Sequence, residues 1–274
     1  MEFSLRSMGI VGLDYCGSTL VSNVLSSLPG VLNVGESHWI IDRNLGCREC
    51  HNKPCPVFTR SMLDDLRAAE LTEQSWWEII SSHSDADLII STDKLPKHFD
   101  LFGVPDNLLF LYKDPKANIV SWCKRKFELP SEGAKIFIDD EVEIGINWWL
   151  EMTSKLLEWL ERQDREISTI SLEKFAKDPR GATLSLCGWL GIEYDPTSID
   201  YWNRELHYIG GNHSVKRLQP SRHFYRRIAV DDRWKGHLSD ISKEKIDNNE
   251  EIIRLLGRIS NISSNRKSSF FRLP

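Results

Sequence analysis

The sequence of 274 residues carries 35 Lys and Arg against 40 Asp and Glu, a formal net charge of −5, with 41% hydrophobic and 27% charged residues. That length and balance suit one large domain with a sizeable core, and they exclude a global field that would draw the chain onto nucleic acid or an anionic membrane. Any anion site has to be local. With no run of 18 apolar residues and no secretory pattern at the start, a cytoplasmic protein without membrane contact is expected.

In chain order, the apolar run 8–13 reads as a buried strand, and from Ser18 the spacing becomes helical, with Leu20, Val21, Val24, Leu25 and Leu28 on one face. Pro29 and Gly30 end that helix and a short strand follows at 31–34. Further buried strands are expected at 88–91, 108–112 and 167–171, with amphipathic helices at 76–82, 117–127, 144–162 and 181–190. Strands alternating with helices predict an α/β fold: a central parallel β-sheet flanked by helices, with ligands at the carboxyl ends of the strands. The paired tryptophans 76–77 and 148–149 read as core. Stretches 42–60 and 200–236 read as long functional loops, and 261–274 as a loose tail on a single domain spanning 1–274.

Between the first strand and first helix stands GIVGLDYCGST, residues 9–19, which is almost a phosphate-binding loop. A turn at this place presents backbone N–H groups at a helix N-terminus, and Ser18 and Thr19 add hydroxyls. The lysine that nucleotide hydrolases use to reach the β- and γ-phosphates is absent, Ser18 standing in its place, and no Mg²⁺-holding aspartate is evident. That combination suits a nucleotide with one 5′-phosphate-linked group and no metal.

Five segments in order resemble the sulfotransferases that use 3′-phosphoadenosine 5′-phosphosulfate. YCGST at 15–19 is similar to their 5′-phosphosulfate loop, KDPKANIVS at 113–121 to the segment that grips the 3′-phosphate, and TDKLPKHF at 92–99 to the segment that supplies an active-site lysine. EKFAKDPRGATLSLCGWLGI at 173–192 and IGGNHSVKR at 209–217 resemble the later acidic-then-helix segment and the loop that closes over the nucleotide. The resemblance implies a P-loop-like sulfotransferase architecture over roughly residues 7–235. It implies donor binding by Tyr15, Cys16, Gly17, Ser18, Thr19, Lys113, Ser121, Gly211, Asn212 and Arg217. Tyr15 stands at the usual basic position, Cys16 at a common serine and Lys113 at an arginine; lysine keeps the charge and loses the bidentate geometry.

Sulfuryl transfer needs an acceptor stripped of a proton, an SO₃ group held in line and a stabilised leaving phosphate, and requires no metal. Glu36, just past the second strand, is the expected general base, as family members place a glutamate after that strand. His38 is the alternative, because its ordinary pKa suits proton transfer near neutrality. Lys94 is expected at the bridging oxygen. The acceptor is expected to be a small molecule, an alkaloid natural product among the candidates, with carbohydrate open. The acidic run IDDEVE at 138–143 reads either as a solvated helix start or as a feature favouring a cationic acceptor. A P-loop kinase and a non-catalytic nucleotide- or glycan-binding protein are the competing readings.

GCRECHNKPCP at 46–56 sets Cys47, Cys50 and Cys55 in a C-x2-C-x4-C spacing with His51 beside them. Zinc ligation, a disulfide and packed thiols all fit that pattern, and no fourth ligand is clearly spaced for a closed site. The cluster is expected to be structural, outside the transfer chemistry, and no metal is assigned.

Overall fold

A computed structural model describes residues 6–42, 46–47, 49–50, 53–69, 75–128, 135–212 and 227–265. Five strands, β1 (Arg6–Val11), β2 (Val31–Gly35), β3 (Leu88–Lys94), β4 (Asn107–Tyr112) and β5 (Glu166–Ser171), form one sheet in the order β2-β3-β1-β4-β5. Every pairing is parallel. All five expected strands are present, within three residues at each end.

β4 shows why the sequence reads as continuous apolar runs. Leu108 and Phe110 face one core cluster and Leu109 and Leu111 the other, so the strand is buried on both faces. One face is covered by α1 (Ser18–Leu25) and, after β5, by the short α8 (Leu172–Lys177), α9 (Pro179–Leu190) and a 3₁₀ turn at Pro196–Asn203. The other face carries α6 (Pro115–Lys126), α7 (Asp139–Glu161), α10 (Asp240–Asp247) and α11 (Glu250–Asn265). A third cluster lies at the β2 edge, where α2 (Trp39–Asp42), α3 (Arg60–Ala68), α4 (Trp76–Ser82) and α5 (Pro96–Phe102) gather around Trp76, Trp77 and Phe102.

Two expectations change. Residues 261–265 continue α11 instead of forming a loose tail; Ile252, Leu255, Ile259 and Ile262 put one apolar stripe against the core. The loop expected at 200–236 begins inside the 3₁₀ turn and carries another turn at Arg233–Gly236, and α3 starts at the end of the 42–60 stretch. The acidic run opens α7, with Asp139, Asp140 and Glu141 in its first turn. Three of its four carboxylates have partners: Glu141 pairs with Lys135 at 2.5 Å, Glu143 with Lys245 at 2.5 Å, and Asp139 accepts from Ser242 at 3.2 Å. Trp149 is buried and Trp148 stacks on Trp122 at 4.9 Å, as the core reading of the tryptophan pairs requires.

The β2 edge is extended by a late segment. Gly35 bridges Ile209 in parallel, Ile209 N–H donates to Val34 O at 3.3 Å, and Glu36 N–H donates to Ile209 O at 2.8 Å. Gly35 sits at φ 71°, and a Cβ there would lie 2.1 Å from the Ile209 carbonyl oxygen. Gly35→Ala therefore meets both a left-handed backbone and a backbone clash, and is expected to destabilise the fold by at least about 1–3 kcal/mol. Urea unfolding measures this; an unchanged midpoint would mean the late segment does not depend on this contact.

Candidate active site

The carboxyl ends of β1, β2, β3 and β4 lie on one side of the parallel sheet, beside the crevice where ligands bind such sheets. β1 runs into the turn 12–17 and α1. Gly17, at φ 96°, is the N-cap of α1 and offers no side-chain acceptor, and the Cys16 thiol beneath it meets the Ser18 N–H. Helix-start N–H groups lack intrahelical partners, so this end attracts anions. The turn is held from below: Gly12 N–H donates to Lys94 O at 3.2 Å, and Asn118 Nδ2 donates to Asp14 O at 2.8 Å.

Of the loop residues, Ser18 and Thr19 are buried at the α1 start, and Tyr15 is exposed at φ 65°. Cys16 departs from expectation in one respect. Its side chain lies in the apolar core, burial pushes its thiol pKa up, and its N–H donates to Leu13 O at 3.2 Å. Cys16 is thus a packing residue under the loop, since cysteine behaves as a small hydrophobe when buried.

β2 and β3 bring the two charged candidates together. Lys94 Nζ contacts Glu36 Oε1 directly and lies 3.8 Å from Asp14 Oδ1. Glu36 Oε2 also accepts from Trp39 Nε1 at 3.1 Å and from Gly211 N–H at 3.2 Å. Burial pushes the Glu36 carboxyl up, but the Lys94 ammonium and the Gly211 N–H outweigh it and hold it below the usual carboxylate range. Burial pushes Lys94 down, and Glu36 more than restores it, so the ammonium stays charged. Lys94 has φ 65°, with Leu95 N–H donating to Asp93 O at 2.7 Å, a three-residue turn of the strained kind. Backbone strain of this sort clusters where a side chain must be aimed.

His38 forms a second unit beside this pair. Its Nδ1 lies 2.6 Å from Asp93 Oδ1, and Asp93 is fixed further by Ser37 Oγ and Ser91 Oγ, each at 2.5 Å. Burial pushes the Asp93 carboxyl up, and the hydrogen bonds from His38 and Ser37 bring it below its ordinary value. With Nδ1–H donating to Asp93, Nε2 of His38 is the acceptor nitrogen. His98 stacks on His38 at 3.8 Å between centroids, donates Nδ1–H to Asp93 O at 2.6 Å, and is pushed down by burial. Asp93 and His98 were missed in the sequence, although both stand within the segment 92–99 that was singled out for Lys94.

β4 ends at the buried Lys113, whose Nζ donates to Ser121 Oγ at 3.2 Å. Ser121 Oγ in turn donates to Ala117 O at 2.7 Å. The spacing of eight works because Pro115 is the first residue of α6 and Asp114 caps it, so Ser121 returns over the strand end. Burial pushes Lys113 below its ordinary pKa, with Asp231 and Glu173 opposing. Burial raises Asp231, and Arg233 and Lys113 pull it down to about 2. Asp231 and Arg233, which pair at 2.7 Å, were also missed, since nothing in their spacing ties them to a site more than a hundred residues away. Lys116, by contrast, pairs with Asp247 and lies 5.6 Å above Trp234, so it belongs to the packing of α6 on α10.

Gly211 and Asn212 reach the crevice: Asn212 N–H donates to Thr19 Oγ1 at 3.1 Å, beside the Gly211 contact to Glu36. Arg217, like His51, lies outside the described residues. Cys47, Cys50 and Cys55 converge on His207 from the other end of the chain.

The fold, a five-stranded parallel sheet with helices on both faces, matches that of solved sulfotransferase domains. The chain is similar to the sulfotransferase domain of the Synechococcus PCC 7002 olefin synthase at 14% identity, covering 99% of this chain and 96% of that one, with a TM-score of 0.53. It is similar to the sulfotransferase domain of the curacin biosynthetic pathway at 13% identity, covering 94% and 98%, with a TM-score of 0.51. No family model matches the sequence, and no curated protein does either. Among the described residues no helix is long and apolar enough to cross a membrane.

Proposed function

We propose that this chain is an enzyme that transfers a sulfuryl group from 3′-phosphoadenosine 5′-phosphosulfate to a hydroxyl or amine of a small-molecule acceptor. The observation that carries the reading is the buried Lys94–Glu36 pair at the ends of β3 and β2, beside the start of α1 and across the loop from Lys113–Ser121. A donor with a 5′-phosphosulfate and a 3′-phosphate needs two anion sites on either side of one loop. A nucleoside triphosphate needs a lysine in the loop and a metal ligand, and the loop has no lysine.

In the resting protein Lys94 is neutralised by Glu36. The anionic phosphosulfate competes for that ammonium, which then stabilises charge growing on the bridging oxygen as the S–O bond breaks. Glu36, relieved of its cation, rises toward an ordinary carboxylate pKa and takes the acceptor's proton as the new S–O or S–N bond forms. The products are the sulfated acceptor and adenosine 3′,5′-bisphosphate. His38, aligned by Asp93, is the other group able to take that proton. Two similar structures are sulfotransferase domains of an olefin synthase and of the curacin biosynthetic pathway, which supports a small-molecule acceptor, an alkaloid being one candidate class.

A thermal-shift comparison tests the reading. Adenosine 3′,5′-bisphosphate at 100 times its dissociation constant stabilises the fold by about 3 kcal/mol, and ATP with Mg²⁺ does not. Stabilisation by ATP–Mg²⁺ alone would point to the kinase reading. Lys113→Ala is expected to weaken the 3′-phosphorylated nucleotide far more than 5′-AMP, because the charge-assisted contact exists only for the former. Ser121→Ala acts in the same direction by about 1–2 kcal/mol. Equal weakening of both ligands in a titration would remove Lys113 from the 3′-phosphate site.

A further inference from the structure

We propose that Cys47, Cys50, Cys55 and His207 form a closed structural zinc site that ties the cysteine segment to the chain leading into the active site. The four ligand atoms all lie within 4.8 Å of one another. His207 Nδ1 stands 3.7 Å from Cys47 Sγ, 3.3 Å from Cys50 Sγ and 3.4 Å from Cys55 Sγ. One imidazole nitrogen offers either one N–H or one lone pair, so hydrogen bonding accounts for one of these contacts and not for three. A tetrahedral zinc with Zn–S near 2.3 Å and Zn–N near 2.1 Å sets its N···S edges at about 3.6 Å, and the three distances bracket that value.

The surroundings fit a bound cation. Phe58 N–H donates to Cys55 Sγ at 3.2 Å, the contact that supports a thiolate, and all three cysteines are free of disulfides. His207 Nε2 lies 3.4 Å from Glu205 Oε1, a carboxylate on the side of the imidazole away from the cysteines, where metal-ligating histidines commonly find their outer partner. Three thiolates and an imidazole select zinc among common divalent ions, and four protein ligands close the coordination sphere, so the site holds structure and does no chemistry. The fourth ligand was invisible in the sequence because it stands about 150 residues beyond the cysteines.

The site's neighbours repeat the connection. Glu49, buried between two of the cysteines, accepts from Tyr208 Oη at 3.0 Å, and Ile209 follows at once along the β2 edge. Two residues later Gly211 N–H meets Glu36. On the reading of Glu36 given above, the zinc thereby anchors the segment that positions the catalytic carboxylate.

Metal analysis of the purified chain, reduced and reloaded with zinc, is expected to give one zinc per chain. Cobalt in its place is expected to show the intense visible absorption of a tetrahedral thiolate complex. His207→Ala loses that spectrum, His207→Cys recovers it, and Glu205→Gln raises the zinc dissociation constant about 10-fold. Failure of the reduced wild-type chain to take up either metal overturns the site, whatever the variants do. A tetrahedral cobalt spectrum that survives His207→Ala removes His207 from it. No nucleotide enters these measurements, so they stand or fall apart from the transfer reaction.

Discussion

Glu36→Gln is expected to lower sulfuryl transfer by about 10²–10⁴-fold while changing the affinity for adenosine 3′,5′-bisphosphate little. Glutamine keeps the size of the side chain and its acceptor oxygen, so the bonds from Trp39 Nε1 and Gly211 N–H at 3.1 and 3.2 Å can persist. What it cannot do is take a proton. The ion pair with Lys94 is lost as well, leaving an ammonium with Asp14 at 3.8 Å as its remaining partner, and this favours donor binding if it alters it at all. Single-turnover transfer and nucleotide titration on the same preparation separate the two effects. Near-normal transfer in Glu36→Gln, with transfer abolished in His38→Ala, gives the base role to the His38–Asp93 unit. Lost nucleotide affinity in Glu36→Gln makes the carboxylate an organiser of the loop through Gly211 instead.

How much of this was legible in the sequence follows the range of each interaction. The strands were legible because burial on both faces demands unbroken apolar runs such as 108–112, and the loop was legible because strand, glycine turn and helix are contiguous. Lys113 with Ser121 was legible because one cap and one helix start fix their separation. Lys94 and Glu36 were singled out separately; their meeting depends on β2 and β3 being sheet neighbours, which spacing along the chain does not encode. His207, Asp231 and Arg233 depend on chain returns of a hundred residues or more, and their own segments carry no pattern that points back. The apolar stripe of α11 was legible and was passed over; of its residues only Ile262 falls in the stretch 261–274 that read as a tail. Cys16 was named as donor-binding from its place in the loop motif alone; the direction of its thiol, inward and 2.9 Å from where a Cβ on Gly12 would stand, depends on the turn and was not legible.

Lys94→Met is expected to reduce transfer by about 10²–10³-fold, the usual cost of removing one preorganised charge partner from a developing oxyanion. It also leaves the Glu36 carboxylate buried without its cation, a change that destabilises by about 3 kcal/mol or more at neutral pH unless the group picks up a proton. The sign of the pH dependence then reverses. In the wild-type chain the Glu36 pKa is held below its ordinary value, so its contribution to stability is present above about pH 4.3 and is lost as pH falls through the folded value. In Lys94→Met the largest opposing cause is gone and burial is expected to outweigh the Gly211 N–H and His38 that remain, so the carboxyl rises, the neutral form is the tolerated one and stability is lost as pH rises through the folded value. The melting-temperature gap between the two proteins should accordingly be wide at pH 7 and narrow toward pH 4. Adding Glu36→Gln to Lys94→Met removes the stranded carboxylate, and stability at pH 7 is expected to return while transfer stays lost. A double variant that melts as low as Lys94→Met at every pH would mean that the lysine stabilises the fold through contacts other than Glu36, and the ion pair would no longer explain why both side chains are buried.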